Sequence, residues 1–241
     1  EQSRSNDFYT NASKAELIFT KNAKKGFFKN TTTWNGFWNN DRGFSSLDTN
    51  IAAQTIFGNQ SLSSPSGSFQ NSLSTIIPWK DKLVNVMSYF KYQRDKQNME
   101  VNPASYTDYF TGVTSSGYDT YRQSALSETL EVNHSASVGF TYKKLTIIPE
   151  IGLNMNFNNL KSILSGSSDG TYYSLAGDNQ NNVDWNELTP YTQVSFNYKG
   201  ERLNLNLTVP MNFYSIKYQD NLYNQLANKT KTAFEPTFFA S

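Results

Sequence analysis

The sequence predicts an all-β fold: a segment of an antiparallel transmembrane β-barrel, with about nine strands in its 241 residues. The first reason is a repeated unit, in which two strand-like stretches flank a very short turn with two basic residues and an aromatic neighbour. The four turns are residues 24–25, 80–82, 143–144 and 199–202. The hairpins are separated by longer segments rich in Ser, Asn, Gly and Asp: 39–68, 95–127, 161–184 and 219–231. Short periplasmic turns and long extracellular loops are typical of outer-membrane barrels.

The composition is the second reason. Mean hydropathy is low at -0.61, yet 15% of the residues are aromatic and only 17% are charged, because the polarity comes from Asn, Ser, Thr and Gln. This mixture suits strands that face lipid on one side and water on the other. No run approaches 18 consecutive apolar residues, so no transmembrane helix is predicted. The absence of cysteine excludes disulfides and thiolate chemistry. The net charge of +1 excludes a strong electrostatic attraction to nucleic acid.

Period-two alternation is the third reason, and it is clearest over residues 128–159 and 192–213. We predict that the apolar residues face lipid: Leu130, Val132, Val138, Phe140, Ile147, Ile151, Leu153, Leu203, Leu205, Leu207 and Val209. We predict that the polar residues face the lumen: Glu131, Asn133, Ser135, Glu150, Asn154, Asn156, Asn204, Asn206 and Thr208. Weaker alternation adds the remaining strands: 15–20, 27–38, 69–77, 83–92 and 232–241.

Aromatic residues are expected at both ends of the apolar band. Ten steps of about 3.3 Å, tilted by roughly 40°, rise about 25 Å, which matches the apolar band of an outer-membrane barrel. Rings with a polar edge favour the two membrane interfaces. The predicted interface aromatics are Trp79, Tyr142, Tyr198, Phe157 and Phe213.

Four prolines oppose this prediction, because each removes a ladder hydrogen bond from a predicted strand. They are Pro149, Pro190, Pro210 and Pro236. A β-bulge leaves a residue unpaired in any case, so we expect bulges at these positions.

Several stretches resemble a known family. Glu-Leu-Thr-Pro-Tyr at 187–191, Val-Ser-Phe-Asn-Tyr-Lys-Gly at 194–200 and Leu-Asn-Leu-Asn-Leu-Thr-Val-Pro at 203–210 carry the resemblance, with support from 145–152 and 234–238. They resemble the barrel of Bacteroidota TonB-dependent receptors, in particular the outer-membrane β-barrel family that usually follows a carboxypeptidase-regulatory-like domain and a plug.

The resemblance implies an active transporter of about 22 strands in the bacterial outer membrane. Its implied partners are outer-membrane lipid, an imported ligand of unknown identity, the TonB complex through a plug, and a surface lipoprotein as a further candidate. The plug has no counterpart in residues 1–241, which we interpret as one partial barrel domain. Because residue 1 is Glu and no signal segment is present, we expect an internal piece of a longer chain.

The sequence predicts no metal or cofactor site. His134 is the single histidine, and one histidine cannot form a His-cluster metal site, so we expect a structural role for it. Asp169, Asp178 and Asp184 share one loop, where oxygen ligands could hold Ca²⁺. Their spacing differs from an EF-hand, so we expect solvated loop acids.

The sequence predicts no enzyme either. Glu131 and Glu150 are acids of adjacent strands that could perform acid–base chemistry as a pair, but lining a polar lumen is the preferred role. No Ser/His/Asp arrangement and no phosphate-binding loop can be assembled. The alternative function is a secreted or surface-attached all-β glycan-binding module or adhesin, whose apolar faces would pack inward in a sandwich.

Overall fold

The chain forms one antiparallel β-sheet. The computed structural model describes residues 2–23, 26–49, 54–102, 118–175 and 179–241, and within these ranges all strands belong to a twelve-stranded sheet. The strands are β1 (Gln2–Ala23), β2 (Gly26–Thr49), β3 (Gln54–Trp79), β4 (Lys82–Asn102), β5 (Thr120–Val138), β6 (Phe140–Tyr142), β7 (Leu145–Ser167), β8 (Tyr173–Ser174), β9 (Gln180–Lys199), β10 (Asn204–Asp220), β11 (Gln225–Phe234) and β12 (Thr237–Ala240). The predicted all-β antiparallel fold class is confirmed. No helix in these ranges could cross a membrane.

The sheet is an up-and-down meander. Nine strands form the hydrogen-bonded path β1-β2-β3-β4-β5-β7-β9-β10-β11, which agrees with the predicted number. β6 continues β5 after Gly139, and β12 continues β11 after residues 235–236. β8 is a two-residue strand on β7. The basic turn at residues 24–25 lies outside the described residues; the other three turns lie within them.

The strands extend further than the alternation predicts. β3 has 26 residues and β2 has 24, and most of the four segments predicted as loops belongs to strands. The ladder is made by backbone groups, so polar side chains of Ser and Asn do not interrupt it. The described parts of these segments therefore extend the strands into tall hairpins at the end of the sheet opposite the basic turns.

Each proline interrupts the hydrogen-bonded pairing with the strand on one side only, and no bulge forms. Opposite Pro149, the β5/β6 ladder steps from the pair Ser137 and Glu150 to the pair Phe140 and Ile147, a step of three residues on both strands. A bulge would add a residue to one strand only. The expectation of bulges is therefore wrong: the missing proline N–H removes bonds from one ladder and the register is kept. Equal steps occur opposite Pro65, Pro190 and Pro210.

The basic turns are staggered across the sheet. One continuous row of paired residues runs through Asn22, Phe27, Ile76, Asn85, Ser137, Glu150, Gln193 and Pro210. We count residues along each hairpin from this row to the last paired residues before the turn. The count is one for β1–β2, three for β3–β4, five for β6–β7 and six for β9–β10.

This stagger sets the tilt of the strands. It amounts to roughly one residue per strand, or about 3.3 Å along the strand for each 4.8 Å across the sheet. If the line through the turns is taken as horizontal, the strands are therefore tilted by about 35° from the vertical. Closed barrels require a tilt of about 35–45°.

Candidate functional site

The two faces of the sheet differ in chemistry. Paired residues share a face and alternate along each strand, so Leu130 with Phe157 lies on one face and Glu131 with Asn156 on the other. We call these the apolar face and the polar face. All nine predicted lumen-facing residues lie on the polar face: Glu131, Asn133, Ser135, Glu150, Asn154, Asn156, Asn204, Asn206 and Thr208.

Ten of the eleven predicted lipid-facing residues lie on the apolar face: Leu130, Val132, Val138, Phe140, Ile147, Ile151, Leu153, Leu205, Leu207 and Val209. Leu203 differs, because it precedes β10 and belongs to the turn, where its carbonyl accepts a hydrogen bond from Gly200 N at 2.8 Å. A Cβ at Gly200 would lie 2.7 Å from that carbonyl oxygen, so the turn needs a glycine. That the apolar face meets lipid and the polar face lines a lumen stays a prediction.

The five predicted interface aromatics share the apolar face and are all exposed. Trp79, Tyr142 and Tyr198 lie at the turn end of β3, β6 and β9. Phe157 and Phe213 lie in the interiors of β7 and β10, further from the turns. The rings therefore lie at two levels of one face, and their location at membrane interfaces stays a prediction.

A shallow depression of about 410 Å³ opens on the polar face. Its polar lining is Glu131, Asn133, Asn154, Asn156 and Glu187. Asn133 Nδ2 donates to Glu131 Oε1 at 2.8 Å, and Thr189 donates to Glu187 Oε1 at 2.9 Å, so both carboxylates are held in place. Carboxylate acceptors beside amides that donate and accept suit a ligand rich in hydroxyl or amide groups.

An aromatic side chain covers a glycine on the same face. Gly152 and Tyr191 are cross-strand partners, and a Cβ at Gly152 would lie 2.2–2.4 Å from atoms of the Tyr191 side chain. The absence of a side chain lets the ring lie flat against the backbone. From there the Tyr191 hydroxyl donates to Glu150 Oε1 at 2.8 Å. Sequence reasoning missed this contact, because it depends on the register between β7 and β9.

The two predicted lumenal acids are not a pair. Glu131 is paired with Asn156, and Glu150 is paired with Ser137. Glu150 lies six residue steps from Asn156 along β7, so the two glutamates lie roughly 20 Å apart along the strands. Joint acid–base chemistry by these two groups has no geometric basis.

The expectation that three acids share one loop is wrong for Asp184, which lies within β9, whereas Asp169 lies in the connection between β7 and β8. Asp184 accepts hydrogen bonds from the side chains of Asn159 and Asn221, both at 2.7 Å, and these bonds hold its pKa below the usual 3.8. Asp169 accepts a hydrogen bond from the backbone N–H of Thr171 at 2.8 Å. Asp178 lies outside the described residues. Within the described ranges, no three His, Cys, Asp or Glu side chains form a group that could hold a metal ion.

The single histidine lies on the apolar face. His134 is exposed, and its cross-strand partners are Ser88 and Leu153. The row of His134 therefore supplies no second histidine and no carboxylate.

An ion pair stacked on a tyrosine ring lies at the end of the sheet opposite the basic turns. Arg122 donates from Nε and Nη2 to Glu100 Oε2 at 3.1 and 2.8 Å, and its guanidinium lies 3.6 Å from the ring centroid of Tyr172. Burial, and then a hydrogen bond with Glu100, raises the pKa of Tyr172. On the opposite face, Val101 and Tyr121 pack with Leu164 in a small buried core. Sequence reasoning missed this end, because it treated these residues as loop.

No protein-family model matches the sequence, and no curated protein matches it. Solved structures do, at low identity. The pyoverdine outer-membrane receptor FpvA from Pseudomonas aeruginosa PAO1, bound to pyoverdine, is similar over 99% of this chain and 43% of that chain, with a TM-score of 0.46 and 7% identity. The unliganded ferric citrate transporter FecA is similar over 99% of this chain and 40% of that chain, with a TM-score of 0.43 and 6% identity.

A third structure has a different activity. The outer-membrane protease OmpT from Escherichia coli is similar over 98% of this chain and 93% of that chain, with a TM-score of 0.27 and 6% identity. The present chain spans less than half the length of the two receptors. Similarity at this level assigns no ligand and no reaction to this chain.

Proposed function

We propose that this chain is part of the β-barrel of a TonB-dependent outer-membrane receptor of the Bacteroidota kind, which imports a ligand across the bacterial outer membrane. One observation carries the proposal: the sheet has an apolar face and a polar face, and the apolar face is bounded by aromatic rings. In β3, ten residues separate Trp79 from Phe69, and both rings are exposed on the apolar face. With a tilt of about 35°, that distance spans roughly 27 Å, the height of the apolar band of a barrel.

On this proposal, the polar face lines the lumen and the tall hairpins meet the ligand first. The ligand would then pass the depression beside Glu131 and Glu187, whose fixed carboxylates and neighbouring amides offer exchangeable hydrogen bonds. Gating and contact with TonB belong to a plug that has no counterpart in residues 1–241. A surface lipoprotein would bind at the hairpin end, where Arg122 and Glu100 form an ion pair.

Charged substitutions at one depth test the assignment of the faces. Val209 and Thr208 are neighbours in the interior of β10, on the apolar and polar faces respectively. Val209→Arg should destabilise the protein in lipid vesicles by about 2–4 kcal/mol, whereas Thr208→Arg should cost less than about 1 kcal/mol. Leu205 is the second residue of β10, beside the turn, so Leu205→Arg should cost only about 0–1 kcal/mol.

The measurement is the urea midpoint of each variant folded in vesicles, together with far-UV circular dichroism with and without detergent micelles. Equal costs for Val209→Arg and Thr208→Arg would contradict the face assignment. Cooperative folding of the wild-type chain in plain buffer would favour the secreted glycan-binding module, because its apolar faces would then pack on each other.

A further inference from the structure

The hairpin turns at one end of the sheet carry an unusual concentration of basic side chains. In the described residues they are Lys80, Lys82, Lys143, Lys144, Lys199 and Arg202, which we call the basic rim. Only Asp81 and Glu201 oppose them there, while the whole chain has a net charge of only +1. The rest of the chain is therefore net acidic, and the positive charge is concentrated at the turns.

Local ion pairs neutralise only part of the rim. Lys82 Nζ lies 3.1 Å from Asp81, and Lys144 Nζ lies 3.5 Å from Glu201. The Asp81 carboxyl has a lowered pKa because Lys82 donates a hydrogen bond to it. Within the described ranges, no carboxylate lies at ion-pair distance from the other four: Lys80, Lys143, Lys199 and Arg202. All four are exposed.

The rim amines lie beside the aromatic rings of the apolar face. Lys80 Nζ is 5.8 Å from the ring centroid of Trp79, and Lys143 Nζ is 5.4 Å from that of Tyr142. Lys82 Nζ lies 5.7 Å from the Phe140 ring. These cation–π distances place positive charge on the side of the sheet that the proposed function turns toward lipid.

Turn geometry does not account for these lysines. Lys80 and Lys143 adopt positive φ angles of 55° and 53°, a left-handed conformation that favours glycine or asparagine. A lysine at each position therefore carries a conformational cost that asparagine would reduce. Binding of each amine to an anion would supply free energy that offsets this cost.

The turns also lie at one depth. The β6–β7 and β9–β10 turns are joined by a hydrogen bond from Lys199 N to the carbonyl oxygen of Lys144 at 2.9 Å. The stagger of about one residue per strand brings the three basic turns of the described residues onto one line across tilted strands, so on the proposed function their cations share one level of a membrane.

We propose that the basic rim binds the phosphate groups of anionic phospholipids in the periplasmic leaflet. This inference rests on the proposed function, because it needs the apolar face to meet lipid. The phosphate layer lies just outside the apolar band, at the level where the aromatic rings end and the amines begin. Each cation near an anionic leaflet adds to the attraction, and salt weakens it.

The experiment compares two triple variants in nanodiscs of phosphatidylcholine with a minor share of phosphatidylglycerol. The rim variant is Lys80→Asn, Lys143→Asn and Lys199→Gln. Asparagine suits the left-handed turn, so this variant should fold at least as well as the wild type. The control variant removes the same charge from three polar-face lysines: Lys14→Gln, Lys29→Gln and Lys229→Gln. Mass spectrometry of the lipids that stay bound on detergent extraction gives the enrichment of each lipid.

The wild type and the control variant should enrich phosphatidylglycerol over phosphatidylcholine. The rim variant should lose this enrichment by about tenfold or more. Equal enrichment by the rim and control variants, in protein that has inserted normally, would overturn the lipid site and leave the barrel intact. A wild-type chain that folds cooperatively in plain buffer and stays outside the bilayer would overturn the barrel proposal as well.

Discussion

Replacing Gly152 with alanine is expected to destabilise the folded sheet by about 2 kcal/mol. The new Cβ would lie 2.2, 2.3 and 2.4 Å from Cζ, Cε1 and Oη of Tyr191, which is closer than two such atoms can approach. The ring must therefore move, and its hydroxyl loses the 2.8 Å hydrogen bond to Glu150. A hydrogen bond to a charged group contributes about 1.5–3 kcal/mol, and overpacking costs about 1–3 kcal/mol. Partial exposure of both groups reduces the total.

The assay is urea unfolding of the chain in lipid vesicles, followed by tryptophan fluorescence. Gly67→Ala is the matched control, because Gly67 is also a strand glycine and its nearest neighbour to a new Cβ is the backbone oxygen of Asn35 at 3.9 Å. Its stability should change by less than about 1 kcal/mol.

A double-mutant cycle separates the clash from other effects of the extra methyl group. In a Tyr191→Ala background the ring is absent, so Gly152→Ala should cost close to nothing. The same cost in both backgrounds would refute the close packing of Tyr191 on Gly152, and so would equal costs for Gly152→Ala and Gly67→Ala. Either result would also contradict the register between β7 and β9 that places these residues opposite each other.

Two further predictions concern the loop end. Arg122→Gln should free residues 168–175 and speed their cleavage by a protease, with a loss of at most about 1 kcal/mol in global stability because the pair with Glu100 is partly exposed. Asp184 has a lowered pKa, so its stabilising contribution is complete above its usual value of 3.8 and is lost as the pH falls through the lowered value. The difference in urea midpoint between the wild type and Asp184→Asn should therefore shrink between pH 5 and pH 3, and a constant difference would contradict the role of the carboxylate.

The sequence predicts the faces of this sheet well, because alternation with a period of two is a local property. The partner of each residue is set by the register between strands, which no single strand encodes. The cover of Gly152 by Tyr191 and the 20 Å separation of Glu131 from Glu150 could not be predicted for this reason. The sequence pattern also does not show at which residue a turn ends and the next strand begins. For this reason Leu203 is predicted to lie in a strand, but it lies in the turn before β10.

The strand residues at the end of the sheet opposite the basic turns could not be predicted, because their composition is typical of loops. Ser, Asn and Gly favour irregular loops, so the segments 39–68 and 95–127 are predicted as loops. In the structure the described parts of these segments, 39–49, 54–68, 95–102 and 120–127, pair with the neighbouring strands through their backbone groups, and their polar side chains stay free to bond with each other. Glu100 in β4 and Arg122 in β5 form an ion pair between two strands. A sequence pattern within either strand does not predict this contact, because it depends on the register between them.

Two polar residues of the apolar face bear on whether this face meets lipid or a second protein layer. Asn30 and Asn71 lie there, and each amide donates to the other's carbonyl oxygen, at 3.1 and 3.0 Å. Asn71 Nδ2 also lies 2.8 Å from the Thr32 hydroxyl. Such mutual bonding gives each amide a partner that is not water, which suits a surface that faces lipid. A sandwich would bury this face against a second sheet about 10 Å away, yet within the described residues all strands form one sheet and Ile151 stays 65% exposed. The described strands therefore leave the apolar face uncovered, and on the proposed function a bilayer covers it.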